Sequence, residues 1–233
     1  GGKGRLDTSK ATEQFLEDCA YRNLSPKTIS SYQWSFQKLS LNHPYDLPKE
    51  PQAVKKVIAN QPLADESKLD LWRNYRAFWR WLKKEDMAEN IMADVPAPNV
   101  RKVFPRTLEP RQIEELINRT RNQRDRALIA LPLNNSMRLG EIANLKWEDV
   151  KDDGIQVNGK TGPRFLPISS QVRQLLDGLG DGHHIWMGKY GPLTKSGVGQ
   201  AITRTMIRGG IRPPKAGPHL LRHTFGRLYI LNG

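Results

Sequence analysis

The feature that most constrains this chain is a break in its pattern between Asp94 and Pro105. Pro96, Pro98 and Pro105 follow one another closely there, and each lacks a backbone donor and fixes φ, so no regular helix can cross the segment. Arg101, Lys102 and Arg106 lie in or beside it without acidic neighbours. A proline-stiffened basic stretch of this kind reads as an extended linker. It predicts two domains, residues 1–95 and 107–233, joined by residues 96–106. A chain of 233 residues fits that division, given about 150 residues per domain.

The first part reads as helices. Ala11, Phe15, Leu16 and Cys19 recur at helical spacing within Thr8–Tyr21. Ser25-Pro26 supplies a cap followed by proline at the first helical position, opening a helix through Leu39. Pro51–Asn60 is a shorter candidate. Asp65–Asp86 is the longest, with Leu71, Trp72, Tyr75, Trp79 and Leu82 on one apolar stripe and Arg73, Arg76, Arg80 and Lys83 on an adjacent face. Beyond the break the pattern is mixed. Helices are expected at Glu109–Arg119, Asp125–Asn134 and Leu139–Trp147, then near Ser170, near Ser196 and from His219 onward. Ile155 and Val157 alternate with polar residues, Asn158-Gly159 is a hairpin signal, and Phe165–Ile168 returns as a strand. The expectation is a mainly α chain with a small antiparallel β-sheet.

Charge narrows the function. The net charge is +13, and it is unevenly placed, since residues 1–95 are nearly balanced while residues 96–233 carry twice as many basic as acidic side chains. From Ile155 onward only Asp177 and Asp181 oppose the basic residues. That asymmetry is the footprint of a polyanion binder. Cys19 is the sole cysteine, which rules out an internal disulfide and a thiolate metal site. No apolar run approaches the roughly 20 residues of a membrane span. No carboxylate or His/Cys set has metal-ligand spacing. The reading is a protein of the cytoplasm or nucleoid with no metal, no cofactor and no membrane partner.

Four positions, Arg138, Lys160, His219 and Arg222, could carry chemistry. Arg138 follows the polar run Asn134-Asn135-Ser136 and precedes Glu141 by three residues, a helical spacing that lets the carboxylate orient the guanidinium. Lys160 falls in the turn region Asn158–Pro163. His219 and Arg222 stand three apart, so both reach one side of a helix, with His223 beside them. Guanidinium grips two oxygens of a phosphate, and imidazole moves protons near neutral pH.

Taken in order, Arg138-x-x-Glu141, Lys160 and His219-x-x-Arg222-His223 resemble the tyrosine recombinase (phage integrase) family. Leu24–Tyr32 is similar to that family's N-terminal core-binding motif, Asn122 to Val150 to its first arginine box, and Gly217–Gly226 to its second. The resemblance implies a helical, SAM-like core-binding domain followed by an α+β catalytic domain. It implies strand cleavage and exchange in double-stranded DNA through a 3′-phosphotyrosine, without metal, in a homo-tetramer on DNA when full length. Arg138 and Arg222 would clamp the scissile phosphate, Lys160 would protonate the departing 5′ oxygen, and His219 would assist proton transfer. Glu141 and His223 would support them. DNA contacts are expected from Lys27, Thr28, Arg73, Arg76, Arg80, Arg101, Lys102 and Arg106.

Three departures stand beside the resemblance, one of them the hairpin, where Gly159-Lys160-Thr161-Gly162-Pro163-Arg164 is a compact variant. The family's nucleophilic tyrosine follows the second arginine by several helical turns, whereas Tyr229, the only tyrosine after Arg222 here, sits too close to match and reads as a helix core residue. Asn135-Ser136-Met137 replaces the more usual Thr-Gly-Leu. Alternative readings are a non-catalytic DNA-binding protein derived from a shortened recombinase, a type IB topoisomerase, against which the Leu24–Tyr32 motif argues, and a helix-turn-helix repressor, which leaves the Arg/Lys/His/Arg set unexplained.

Overall fold

The computed structural model describes residues 6–101, 105–159, 162–180, 184–212 and 216–232. The chain forms two compact units, 1–102 and 103–233.

The first unit contains α1 (Thr8–Tyr21), α2 (Pro26–Asn42), α3 (Pro51–Ala59) and α4 (Asp65–Lys84), followed by a 3₁₀ turn at Ile91–Asp94. Local chemistry sets the starts. Asp7 accepts from the Lys10 amide at 2.8 Å, and Ser25 accepts from the Thr28 amide at 3.2 Å with Pro26 at the first helical position. α2 runs three residues past the expected end at Leu39. α4 stops at Lys84, short of the expected Asp86, because Asp86 is left-handed (φ 53°) and cannot continue the helix. Its buried stripe is Leu71, Tyr75, Phe78, Trp79 and Leu82. Trp72, expected on that stripe, is half-buried at its edge and donates its indole N–H to the Val95 carbonyl at 2.8 Å. The core is aromatic. Phe15 meets Tyr32, Phe36, Phe78 and Trp81 edge-on, with centroids 4.9–5.6 Å apart, in the geometry that aromatic quadrupoles favour.

The second unit is organised around α6 (Gln123–Asn135), whose residues Ala127, Leu128, Ile129, Leu131, Pro132 and Leu133 are all buried. A helix apolar on most of its circumference belongs in the middle of a fold. Packed against it are α8 (Ser170–Asp177), α9 (Lys195–Arg208) and α10 (Pro218–Asn232), and α5 (Pro110–Arg119) packs on α9. The expected helix from Leu139 to Trp147 is shorter. α7 covers only Leu139–Ala143, and a separate 3₁₀ turn holds Trp147–Asp149. Strands β1 (Gly154–Gly159) and β2 (Gly162–Pro167) pair antiparallel, from Gly154 opposite Pro167 to Gly159 opposite Gly162. Asn158 and Gly159, expected to make the turn, lie inside β1. A second small pair, β3 (Met187–Gly188) with β4 (Gly191–Pro192), carries no sequence signal of its own at two residues per strand.

α10 is fastened to the unit's opening residues. The Thr224 hydroxyl, fully buried, accepts from the Leu108 amide at 2.9 Å and donates to the Leu220 carbonyl at 2.8 Å. Arg227 reaches Thr107 at 2.9 Å and Glu109 at 2.8 Å. Among the described residues, no helix is long and apolar enough to cross a membrane.

Candidate active site

The site is built at the corner where α6 gives way to α7. Ser136 closes α6 in the left-handed region, at φ 53° and ψ 28°. That turn reverses the chain, buries Met137 and leaves Arg138 at the N-cap of α7. Three hydrogen bonds hold the corner from outside. The Asn135 amide donates to the Pro167 carbonyl at the end of β2. The Trp186 indole donates to the Ile142 carbonyl. The Arg222 guanidinium, from α10, donates to the Ser136 carbonyl.

Glu141 lies at the centre, its side chain only 4% exposed. One carboxylate oxygen accepts from the Arg138 amide at 2.8 Å and from the Arg164 guanidinium at 2.8 Å, while the other accepts from the Arg138 guanidinium at 3.1 Å. Sequence spacing placed Arg138 and Glu141 on one helix face. Here Arg138 is the cap, and Glu141 reaches back to its amide as the N3 half of a capping box. Burial alone would push the Glu141 carboxyl up, but the bonds from Arg138 and the nearby Arg164 charge outweigh it and hold the group below its ordinary value.

Arg222 enters from α10, partly buried. Burial first, and then repulsion from Arg138 and Arg164, lower its pKa, with Glu141 acting in the opposite sense. Two guanidinium groups thus bond one buried carboxylate, and the Arg222 guanidinium lies close enough to feel their charge. The excess of positive charge has no side-chain partner among these four, so an anion arriving at the corner would relieve the repulsion. Arg222 also borders an open groove of about 770 Å³ edged by Ser136, Thr107, His223 and Arg227.

The structure therefore brings Arg138, Glu141 and Arg222 together. His219 and His223 are exposed on α10, their rings 6.5 Å apart. Lys160 lies outside the described residues. Tyr229 does not sit in the core as expected. It is 67% exposed and stacks on Phe225 at 6.0 Å. The reason is register, since Tyr229 follows the buried Leu220 by nine residues, about half a turn out of phase on a helix of 3.6 residues per turn.

In the first unit Lys27 is exposed, and the Thr28 hydroxyl is engaged with Ser25 at 2.8 Å. Arg73, Arg76 and Arg80 are exposed along one side of α4. Arg73 pairs with Asp70 at 2.9 Å, and Arg76 lies 5.0 Å over the Trp72 ring. Arg101 and Arg106 are exposed, whereas Lys102 lies outside the described residues. Sequence reasoning missed Arg164, Gly159 and Ser136. Arg164 had one signal: it shares the inward register of β2 with Leu166, an unusual place for a cation. Among the described residues, no group of three or more His, Cys, Asp or Glu side chains could hold a metal ion.

Comparison with known proteins places this geometry. The description "Phage integrase family" matches residues 106–233. Tyrosine recombinase XerC of Erythrobacter litoralis is 25% identical over 97% of this chain and 80% of its own length. That of Alcanivorax borkumensis is 27% identical over 94% and 80%. Among solved structures, a lambda integrase dimer (residues 75–356) bound to a COC' core site superposes with a TM-score of 0.80 at 19% identity, covering 96% of this chain and 90% of that one. The Tn1549 transposon integrase in complex with transposon right end DNA also gives 0.80, at 16% identity over 98% and 88%. These two likenesses establish the same mostly helical fold with small antiparallel sheets. With the family match spanning more than half its length, this chain belongs to the phage integrase, or tyrosine recombinase, family of DNA recombinases.

Proposed function

We propose that the corner formed by Ser136–Glu141 and Arg222 grips one backbone phosphate of double-stranded DNA, in a site-specific recombinase that cuts and rejoins strands. The observation that carries this reading is the meeting of Arg138 and Arg164 on a single carboxylate with Arg222 bonded to the adjacent Ser136 carbonyl, which leaves a compact cationic corner. The solved relatives support the choice of DNA as partner, since they are core-site, transposon-end and Holliday-junction complexes. The last of these is a tetramer, which supports a tetrameric assembly for the whole protein.

In the proposed step a tyrosine hydroxyl attacks the phosphorus. A bond forms from phosphorus to the tyrosine oxygen, and the bond to the 5′ oxygen breaks with its electron pair, leaving a 3′-phosphotyrosine. Arg138 and Arg222 offset the charge that builds on the non-bridging oxygens. Lys160 donates a proton to the 5′ oxygen, and His219 assists the transfer from the attacking hydroxyl. Glu141 positions Arg138. Tyr229, exposed and stacked on Phe225, is not assigned as that tyrosine. Lys27, Thr28, Arg73, Arg76, Arg80, Arg101, Lys102 and Arg106 contact the duplex backbone, and His223 supports the site. Residues 1–95 serve as the core-binding domain, 96–106 as the linker and 107–233 as the catalytic domain.

The test is denaturing electrophoresis of labelled suicide substrate. Residues 1–233 should bind duplex DNA and yield no covalent band. A protein carrying the family's later tyrosine should yield one, and Arg138→Ala in that protein should remove it. A band from residues 1–233 would move the nucleophile to Tyr229. No band from the longer protein on its own site would favour a non-catalytic DNA-binding protein.

A further inference from the structure

We infer that Arg164, which lies on the β1–β2 hairpin and outside the family set described above, is a positioning residue that locks this hairpin to Arg138 through Glu141. The inference rests on the phosphate reading of the corner. Arg164 stands opposite the buried Val157 and on the inward side of β2. Its guanidinium donates at 2.8 Å to the same Glu141 oxygen that caps the Arg138 amide. The hairpin backbone closes on the other carboxylate oxygen, and a Cβ at Gly159 would lie 2.6 Å from it and 3.3 Å from an Arg164 nitrogen. Glu141 is therefore held from two sides, by the start of α7 and by both strands of the hairpin.

Arg138 and Arg164 differ in a way that separates their roles. The Arg138 side chain is 42% exposed and gives one guanidinium nitrogen to Glu141, leaving donors free to face solvent or a phosphate. The Arg164 side chain is 29% exposed and points at a carboxylate that is almost fully covered. An arginine so placed acts on an incoming anion through Glu141. It fixes the carboxylate that aims Arg138, and it ties down the strand that follows residues 160–161 in sequence. Without Arg164 the carboxylate keeps its two bonds from Arg138, but among the described residues the hairpin keeps only the Asn135–Pro167 bond as a side-chain link to the corner.

The experiment uses residues 1–233 and duplex DNA of the chain's own site, with Arg164→Gln, Arg164→Lys, Glu141→Gln and the double variant Arg164→Gln/Glu141→Gln. Positioning predicts that Arg164→Gln weakens binding about 3- to 10-fold with the salt slope unchanged. The same change should add nothing once Glu141 is glutamine, and Arg164→Lys should recover most of the loss. Carboxyl NMR should show Glu141 titrating at higher pH in Arg164→Gln, a shift that general loosening of the fold would not confine to this group. A salt slope reduced by about 1, with the loss undiminished in the Glu141→Gln background, would make Arg164 a direct phosphate ligand and overturn the proposal. Unchanged affinity with an unchanged Glu141 titration would overturn it too. If Arg138→Ala and Arg222→Ala bind DNA like the parent protein while Glu141 still responds to Arg164, the phosphate reading falls, and Arg164's part in binding falls with it.

Discussion

The two units solve different problems. The first buries Phe15, Phe36, Tyr75, Phe78 and Trp79 in one aromatic core and is nearly neutral in charge. The second packs mostly aliphatic side chains, with Trp186 as the buried aromatic among its described residues, and holds most of the excess positive charge. In the first, the buried Tyr75 hydroxyl donates to the Ser35 carbonyl at 2.9 Å. In the second, Arg138 and Arg164 bond one buried carboxylate with Arg222 beside them, and cationic capacity is left over. The positive charge gathered at that corner is what sets the second unit apart.

That contrast is breakable, first in the core. Phe78→Ala removes a ring touching Phe15, Phe36, Trp79 and Trp81. It should destabilise the first unit by about 3–5 kcal/mol in urea unfolding. A loss well under 1 kcal/mol would mean that the aromatic cluster is not tightly packed. Arg222→Ala should behave in the opposite way. It should weaken duplex binding by about 1.5–3 kcal/mol, the scale of charged hydrogen bonds, while changing unfolding stability by about 1 kcal/mol or less. Equal effects on both would erase the distinction between the units.

Acid sharpens the comparison further. Glu141 is held below its ordinary value of 4.5, so it contributes stability at neutral pH that fades as the pH falls below that value. Glu141→Gln should lower stability at pH 7 by about 1–3 kcal/mol and flatten that acid limb. An acid profile identical to the parent's would show that the carboxylate is not charged and paired as described. The smallest expected effect is a gain. Ser136 pays for a left-handed backbone that glycine adopts without strain, and Ser136→Gly should stabilise the second unit by about 1 kcal/mol or less, read by thermal unfolding. A loss would mean that the Ser136 side chain contributes more than its conformation costs.

How much of this was legible in the sequence follows from the physics of each element. α1, α2 and α4 declared themselves through apolar periodicity and through the Ser25-Pro26 start, both local signals. Their ends were less legible, because one left-handed residue such as Asp86 stops a helix without any change of composition. The mixed fold, with its small hairpin, was also visible in alternation. Of the corner, Arg138, Glu141 and Arg222 could be singled out by residue type, spacing and family resemblance. What no spacing could reveal was that Arg138 is a cap, that Glu141 is shared with Arg164, or that Ser136 lends its carbonyl to Arg222 from 86 residues away. Those are tertiary facts, made by the approach of β2 and α10 to one turn. Tyr229 was misread for a related reason, because an aromatic in a helix looks like core until the register of its buried neighbours is known.

The most direct measurement is a crystal structure of residues 1–233 soaked with selenate, whose anomalous signal marks the anion unambiguously. The account predicts one selenate bonded to both the Arg138 and Arg222 guanidinium groups, with Glu141 still holding Arg138 from behind. Selenate absent from that corner while bound elsewhere, or guanidinium groups turned to opposite sides of it, would contradict the central claim.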